Sequence, residues 1–220
     1  FAAYALAVAI IGVVSVIYGA LVALAQTDLK RMIAYTSINH MGYVVVGVAA
    51  AAVLTGPARR LALDGAILQM VAHGFVTGAL FFLAGFIGHR ARTRDMRELS
   101  GLMRPMPVYG TLVAVAFFAS LGLPGLAQFP AEFQIFVGTL EAWPAVAATA
   151  ILGIVLTAAL FLRALQQVWL GEPGERWRGL SDLGPRELIA VGSLMAFVVV
   201  LGVYPRLALD FIETTSRALT

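Results

Sequence analysis

From Met32 to Leu54 the chain runs for 23 residues without an Asp, Glu, Lys or Arg, bracketed by "QTDLKR" and "TGPARR". About 20 such residues let an α-helix cross the hydrocarbon core of a bilayer, where every backbone N–H and C=O must be satisfied inside the segment. The pattern recurs. Apolar stretches cover 1–25, 32–54, 61–88, 108–143, 144–170 and 187–210, separated by short turns or by charged loops at 89–105 and 171–187. The fourth is too long for one straight span and is interrupted by "LGLPG". The expected fold is therefore an all-α membrane protein, a single bundle of six transmembrane helices over 1–220. Its fourth helix is expected to be discontinuous at Gly122–Gly125, around Pro124. Composition agrees, because 12% of the residues are charged where a soluble domain has about 25%. The mean hydropathy is +0.90.

Alternating six spans sorts the basic side chains onto two sides. One side holds Lys30, Arg31, Arg90, Arg92, Arg94, Arg97, Arg104, Arg163, Arg176, Arg178 and Arg186; the other holds only Arg59, Arg60, Arg206 and Arg217. The positive-inside rule makes the richer side cytoplasmic and puts both ends of the segment on the opposite side. A net charge of +3 could suggest nucleic acid, but these arginines lie in short loops where topology accounts for them. The absence of cysteine excludes disulfides, thiolate metal sites and iron–sulfur ligation, so any redox centre is expected on a partner. Phe1 already lies inside an apolar run, which leads us to expect the C-terminal part of a longer protein.

Polar residues inside the spans are the candidate functional groups. Gln69, His73 and Thr77 follow one another at intervals of four, which places them on one helical face with His73 near mid-span. A polar packing seam accounts for Gln69 and Thr77 equally well. An imidazole is different, because it gains and loses a proton near neutrality and an ionisable group at membrane depth is functional by default. His73 is accordingly expected to relay protons. In the second span Thr36, His40 and Tyr43 share a face and Asn39 lies beside them. His40 falls about nine residues from the basic end, roughly 13 Å along a helix, where water could reach it. A relay role and a hydrogen-bonded interfacial histidine both fit. His89 is expected to be solvated in its loop. Lys30, with Asp28 and Arg31, reads as a membrane anchor with a local ion pair, and Arg163 as a snorkelling side chain.

Glu132 is the most costly residue to place. Pro124, flanked by Gly122 and Gly125, stops a helix, and Pro130 suits the first turn of a new one. A broken helix at membrane depth must be buried in protein or line a water-filled cavity. Inserting an acid at a helix centre costs on the order of 3 kcal/mol. Burial favours the neutral acid, while exposed N–H groups of the restarted helix favour the anion. A carboxyl group between these influences can exchange protons. The plainer alternative puts Glu132 near the non-cytoplasmic surface as a helix-start acid, the reading that fits Glu141.

Taken together, "GALVALAQTDLKRMIAYTSINHMGYV", "ILQMVAHGFVTGALFFLAG", "RTRDMRELSGL" and "FFASLGLPGLAQFPAEFQIFVG" closely resemble the antiporter-like membrane subunits of respiratory complex I. The nearest likeness is to the M type, which corresponds to mitochondrial subunit 4. It rests on "TRDM" and on a glutamate at position 132, where the L type has a lysine. The resemblance implies a fourteen-helix antiporter-like fold with two inverted repeats, of which this chain would supply roughly the last six helices. It further implies that Glu132 ends a line of ionisable residues at the proton exit and that His73 is the central histidine. The family's other key groups, a glutamate and two lysines, would precede Phe1. "AQFPAEF" departs from the more usual "NGFVGEF", which bears on access to Glu132 but leaves the carboxylate.

The function implied is that of a proton-translocating membrane subunit of NADH–quinone oxidoreductase, in the inner membrane of a bacterium. Neighbouring antiporter-like subunits would be its partners, and NADH, flavin, iron–sulfur clusters and quinone would be bound by other subunits. No cofactor, metal or catalytic redox residue is expected in this chain. The alternatives are the large subunit of an Mrp-type cation/proton antiporter and the membrane subunit of a membrane-bound hydrogenase or formate-linked complex.

Overall fold

A computed structural model describes residues 2–218, with side chains placed through Thr214. Phe1, where the first expected span begins, and the Arg217 side chain lie outside the described residues. A 3-10 turn, Ala2–Tyr4, leads into α1 (Ala5–Leu24), which pairs antiparallel with α2 (Leu29–Val53). Asp28 starts α2, its carboxylate accepting the Arg31 N–H at 3.0 Å as an N-cap. The two helices approach closely because small residues face each other. A methyl group on Gly42 would lie 2.7 Å from the Gly12 carbonyl oxygen. In lipid such close packing, rather than escape from water, holds helices together.

Helix α3 (Gly56–Ala91) has 36 residues and Pro57 in its first turn. At 1.5 Å per residue it is about 54 Å long, well beyond a hydrocarbon core of about 30 Å. The expected span 61–88 is therefore extended at both ends, and His89 and Arg90 belong to the last helical turn rather than to the loop. His89 is exposed as expected. Helices α4 (Pro107–Ser120) and α5 (Gln128–Ala142) follow, with 14 and 15 residues, separated by the segment 121–127. Helix α6 (Pro144–Ala164) continues into a π-helical turn, Leu165–Trp169. Helix α7 (Pro185–Val203) corrects the expected span 187–210, since it stops before Pro205, which cannot continue a helix. The chain then turns into α8 (Arg206–Ala218), which lies on α3 with Ile212 against Leu68 and Ala131.

Among the described residues the named elements are all helices, and five helical stretches are long and apolar enough to cross a membrane: Ala2–Leu24, Leu29–Val53, Gly56–Ala91, Pro144–Trp169 and Pro185–Val203. Helix α2 sits between α1 and α3, α5 packs on α3 and α2, α6 on α1, and α7 on α3. One end of the bundle is closed by a collar of three connecting segments. Leu29 N–H donates to the Arg94 carbonyl at 2.9 Å and Met96 N–H to that of Thr27 at 2.8 Å. Leu102 and Met103 N–H donate to Val168 and Trp169, and Trp177 Nε1 donates to Glu98 O at 2.9 Å. The ion pair expected locally at Lys30 is corrected here. Asp28 pairs with Arg94 Nε at 3.3 Å, because the bridge between the two turns brings residue 94 alongside.

Candidate functional site

The start of α5 faces the middle of α2 and α3, and there the polar residues converge. Gly122 and Gly125 adopt φ of +68° and +90°, a backbone region that glycine enters without steric cost. They turn the chain between α4 and α5 so that the first turns of α5 enter the bundle. Glu132 follows in that stretch and is 5% exposed, so the surface alternative does not describe it. Its Oε1 accepts the Gln69 Nε2–H at 3.2 Å from α3. The same oxygen lies 3.5 Å from His40 Nδ1 on α2.

His40 is 1% exposed, inside the bundle and away from its surface. The folded-in start of α5 covers it. Gln128 Nε2 lies 3.2 Å from the same Nδ1, so that nitrogen has two possible partners. Protonated, it points a donor at Glu132; unprotonated, it accepts from Gln128. His40 Nε2 is buried without a hydrogen-bond partner. The His73 ring stands 5.3 Å away, centroid to centroid, tilted by 45°. His73 Nε2 lies 3.1 Å from Ser37 Oγ, and Thr77 Oγ1 lies 3.2 Å from either ring nitrogen. The result is a polar line, Ser37/Thr77–His73–His40–Glu132, part-buried at its Ser37/Thr77 end and buried at His40 and Glu132, braced by Gln69 and Gln128.

Of the residues singled out in the sequence, Gln69, His73, Thr77, His40 and Glu132 are thus brought together. Asn39 is not. A turn of about 100° per residue points it to the other side of α2, where its amide donates to the Val16 carbonyl at 2.8 Å and its oxygen accepts from Thr157. It ties α2 to α1 and α6. Thr36 bonds only its own helix, at Ile33 O. Ser37 and Gln128 were missed, and no local signal marks them, because each matters only through a partner on another helix. Asp64 was also missed although it carried a signal, a charge inside an apolar span. It is buried at the far end of α3, beside a cavity of about 280 Å³ also lined by Arg60, Gln134 and Glu213. Among the described residues no cluster of three or more His, Cys, Asp or Glu could hold a metal ion.

The model of the family described as NADH:quinone oxidoreductase/Mrp antiporter, TM, matches residues 2–157. NADH-quinone oxidoreductase subunit M of Pseudomonas aeruginosa is 38% identical over 91% of this chain and 38% of its own length. The F(420)H(2) dehydrogenase subunit M of Methanosarcina mazei is 39% identical over 96% of this chain and 41% of its own. A chain of respiratory complex I from Thermus thermophilus with bound NADH superposes with a TM-score of 0.86 at 32% identity, over 93% of this chain and 42% of that one. A chain of the Mrp complex from Dietzia sp. shares the fold, with a TM-score of 0.84 at 21% identity, over 95% of this chain and 46% of that one. The chain spans about two fifths of the length of the curated relatives it matches. The chain belongs to the NADH:quinone oxidoreductase/Mrp antiporter transmembrane family.

Proposed function

We propose that this chain forms a proton-transferring part of a subunit M in a quinone-reducing membrane complex. The observation that carries the reading is the buried contact of Glu132 Oε1 with Gln69 and His40, next to His73. A proton arriving at His73 is handed to His40 after a ring reorientation or through one bridging water, since the centroids are 5.3 Å apart. From His40 Nδ1 it passes to Glu132 Oε1, which neutralises an imidazolium–carboxylate pair. Gln128 then takes up the bared Nδ1 lone pair, and Gln69 keeps the carboxyl oriented. The bundle thus has a resting partner for each stage of the transfer.

In this reading α4 and α5 together make a sixth crossing, broken at Gly122–Gly125, and the collar faces the cytoplasm of a bacterial cell. Both ends of the segment lie on the other side, towards which Glu132 releases its proton. The collar's basic residues support that orientation. NADH or another donor, flavin, iron–sulfur clusters and quinone belong to partner subunits. The likeness to an F(420)H(2) dehydrogenase subunit supports a module that does not choose its electron donor. The test is Glu132→Gln in the full-length subunit of an assembled complex. Proton pumping and coupled quinone reduction should both fall strongly; wild-type pumping with assembly confirmed overturns the proposal.

A further inference from the structure

The two oxygens of Glu132 meet different surroundings. Oε1 is engaged by Gln69 and His40. Oε2 turns towards Gly122, where a methyl group would come within 2.6 Å of it. Among the described residues no side chain donates to Oε2. Beyond it lies a groove of about 370 Å³ between the end of α4, α5 and α6, walled by Phe129, Phe133, Phe136, Leu140 and Ile151. That volume is within the ordinary range for small-molecule sites. Along it Phe133 is 58% exposed and Leu140 55%, so among the described residues the groove is open on that side. Among the described residues Glu132 is the one ionisable group on its walls.

A lipid tail in this groove would cover the phenylalanines and leave Oε2 without a donor, which is costly in an apolar setting. A free inorganic cation would pair with Oε2 and leave the apolar walls unused. A molecule with both parts satisfies both surfaces. We propose that the groove binds lipophilic cations, meaning a protonated primary amine on a hydrocarbon or aryl body. The ammonium donates to Glu132 Oε2, and the body lies along Phe129, Phe133 and Phe136, whose ring faces also attract a cation. Such amphiphiles partition into the bilayer and enter through the open side. Bound there, the ammonium occupies Oε2 and competes with delivery of a proton to Glu132. That inhibitory consequence rests on the proton path proposed above; the binding itself does not.

The experiment uses the full-length subunit in its assembled complex, reconstituted in liposomes, and a diazirine-bearing decylamine as photoprobe. Labelling should map to α5 and α6 at the groove walls. Unlabelled decylamine should compete it away, whereas decanol, with the same tail and no charge, should not. Ile151→Trp, which fills the mouth, should reduce labelling by about tenfold, corresponding to about 1.4 kcal/mol. Leu140→Trp serves the same purpose if the first variant fails to assemble. Labelling elsewhere, or equal competition by decanol, overturns the site. A second arm follows quinone reduction in the presence of an uncoupler, so that collapse of a pH gradient by the amine cannot imitate inhibition. Decylamine should slow the wild type and act more weakly on the filled variant, each relative to its own rate without amine. Specific labelling without inhibition supports the groove and counts against Glu132 as a proton carrier.

Discussion

The collar and the polar line use the same kinds of side chain in opposite ways. In the collar carboxylates face arginines: Asp28 with Arg94, Asp95 with Arg97, and Glu172 with Arg104. In the centre Glu132 is the only carboxylate among the described residues, and it faces an amide and an imidazole. The collar pairs are partly exposed, so each contributes little and salt weakens it. What they provide is registration of three loops. The centre is shielded from water, where an interaction is stronger and a missing partner costs more. A fixed counter-charge there would not suit the proposed proton path, which needs neutral or switchable partners beside Glu132. The collar holds shape; the proposed path asks the centre to change state.

Gly122→Ala should break the comparison most sharply. The new methyl meets Glu132 Oε2 at 2.6 Å on a backbone with φ +68°, so it displaces the carboxyl while leaving every collar contact in place. Displacement of a reacting group by about 1 Å can cost on the order of 100-fold in rate. Coupled quinone reduction in the assembled complex should approach that of Glu132→Gln. Activity near wild type would mean that the position of Oε2 does not matter. His73→Ala should do less, roughly a twofold loss of pumping, because water can occupy the space and bridge Ser37 and Thr77. An unchanged pumping stoichiometry would remove His73 from the path.

Arg90→Ala probes the junction of α3 with the collar. Its guanidinium reaches both Glu187 oxygens and donates to the Ser181 and Asp182 carbonyls. Losing these charged hydrogen bonds should cost about 2 kcal/mol of stability, read as a lower unfolding temperature of the solubilised complex and earlier proteolysis in 170–184. Turnover per assembled complex should stay as it was. A loss of turnover without a loss of stability would mean that the two regions are not separable.

The regions also differ in how far they could be read from the sequence. Apolar runs mark the five helices long enough to cross a membrane, and "LGLPG" marks the stretch where α4 ends and α5 follows, because Gly and Pro act on the local backbone. Four-residue spacing put Gln69, His73 and Thr77 on one face for the same local reason. Ser37 and Gln128 could not be found in this way, since their meaning comes from rings 36 and 88 positions away. Asn39 shows the converse error, a neighbour in sequence that faces another helix. Arg94 as the partner of Asp28 likewise depends on two turns meeting, which no local rule supplies. The end of α7 was legible in Pro205 and was overrun because the apolar pattern continues past it.

Asp95 and Arg97 offer the finest test of the collar, because the expected effect is small and has a definite sign. The Arg97 guanidinium, helped by its backbone N–H, holds the Asp95 carboxyl at about 2, below its ordinary 3.8. An acid lowered in the folded state adds stability that is fully present above 3.8 and is lost as the pH falls through about 2. Arg97→Ala removes the guanidinium and keeps the backbone donor, so Asp95 should titrate closer to its ordinary value. The local readout is hydrogen exchange at Leu29 and Met96, whose N–H groups make the bridge between the two turns. Near neutral pH the variant should exchange only slightly faster, and added salt should reduce the difference. The gap should hold down to about 3.8, then close as the pH approaches about 2. A gap that widens through that window would show that the pair is not what fixes the bridge.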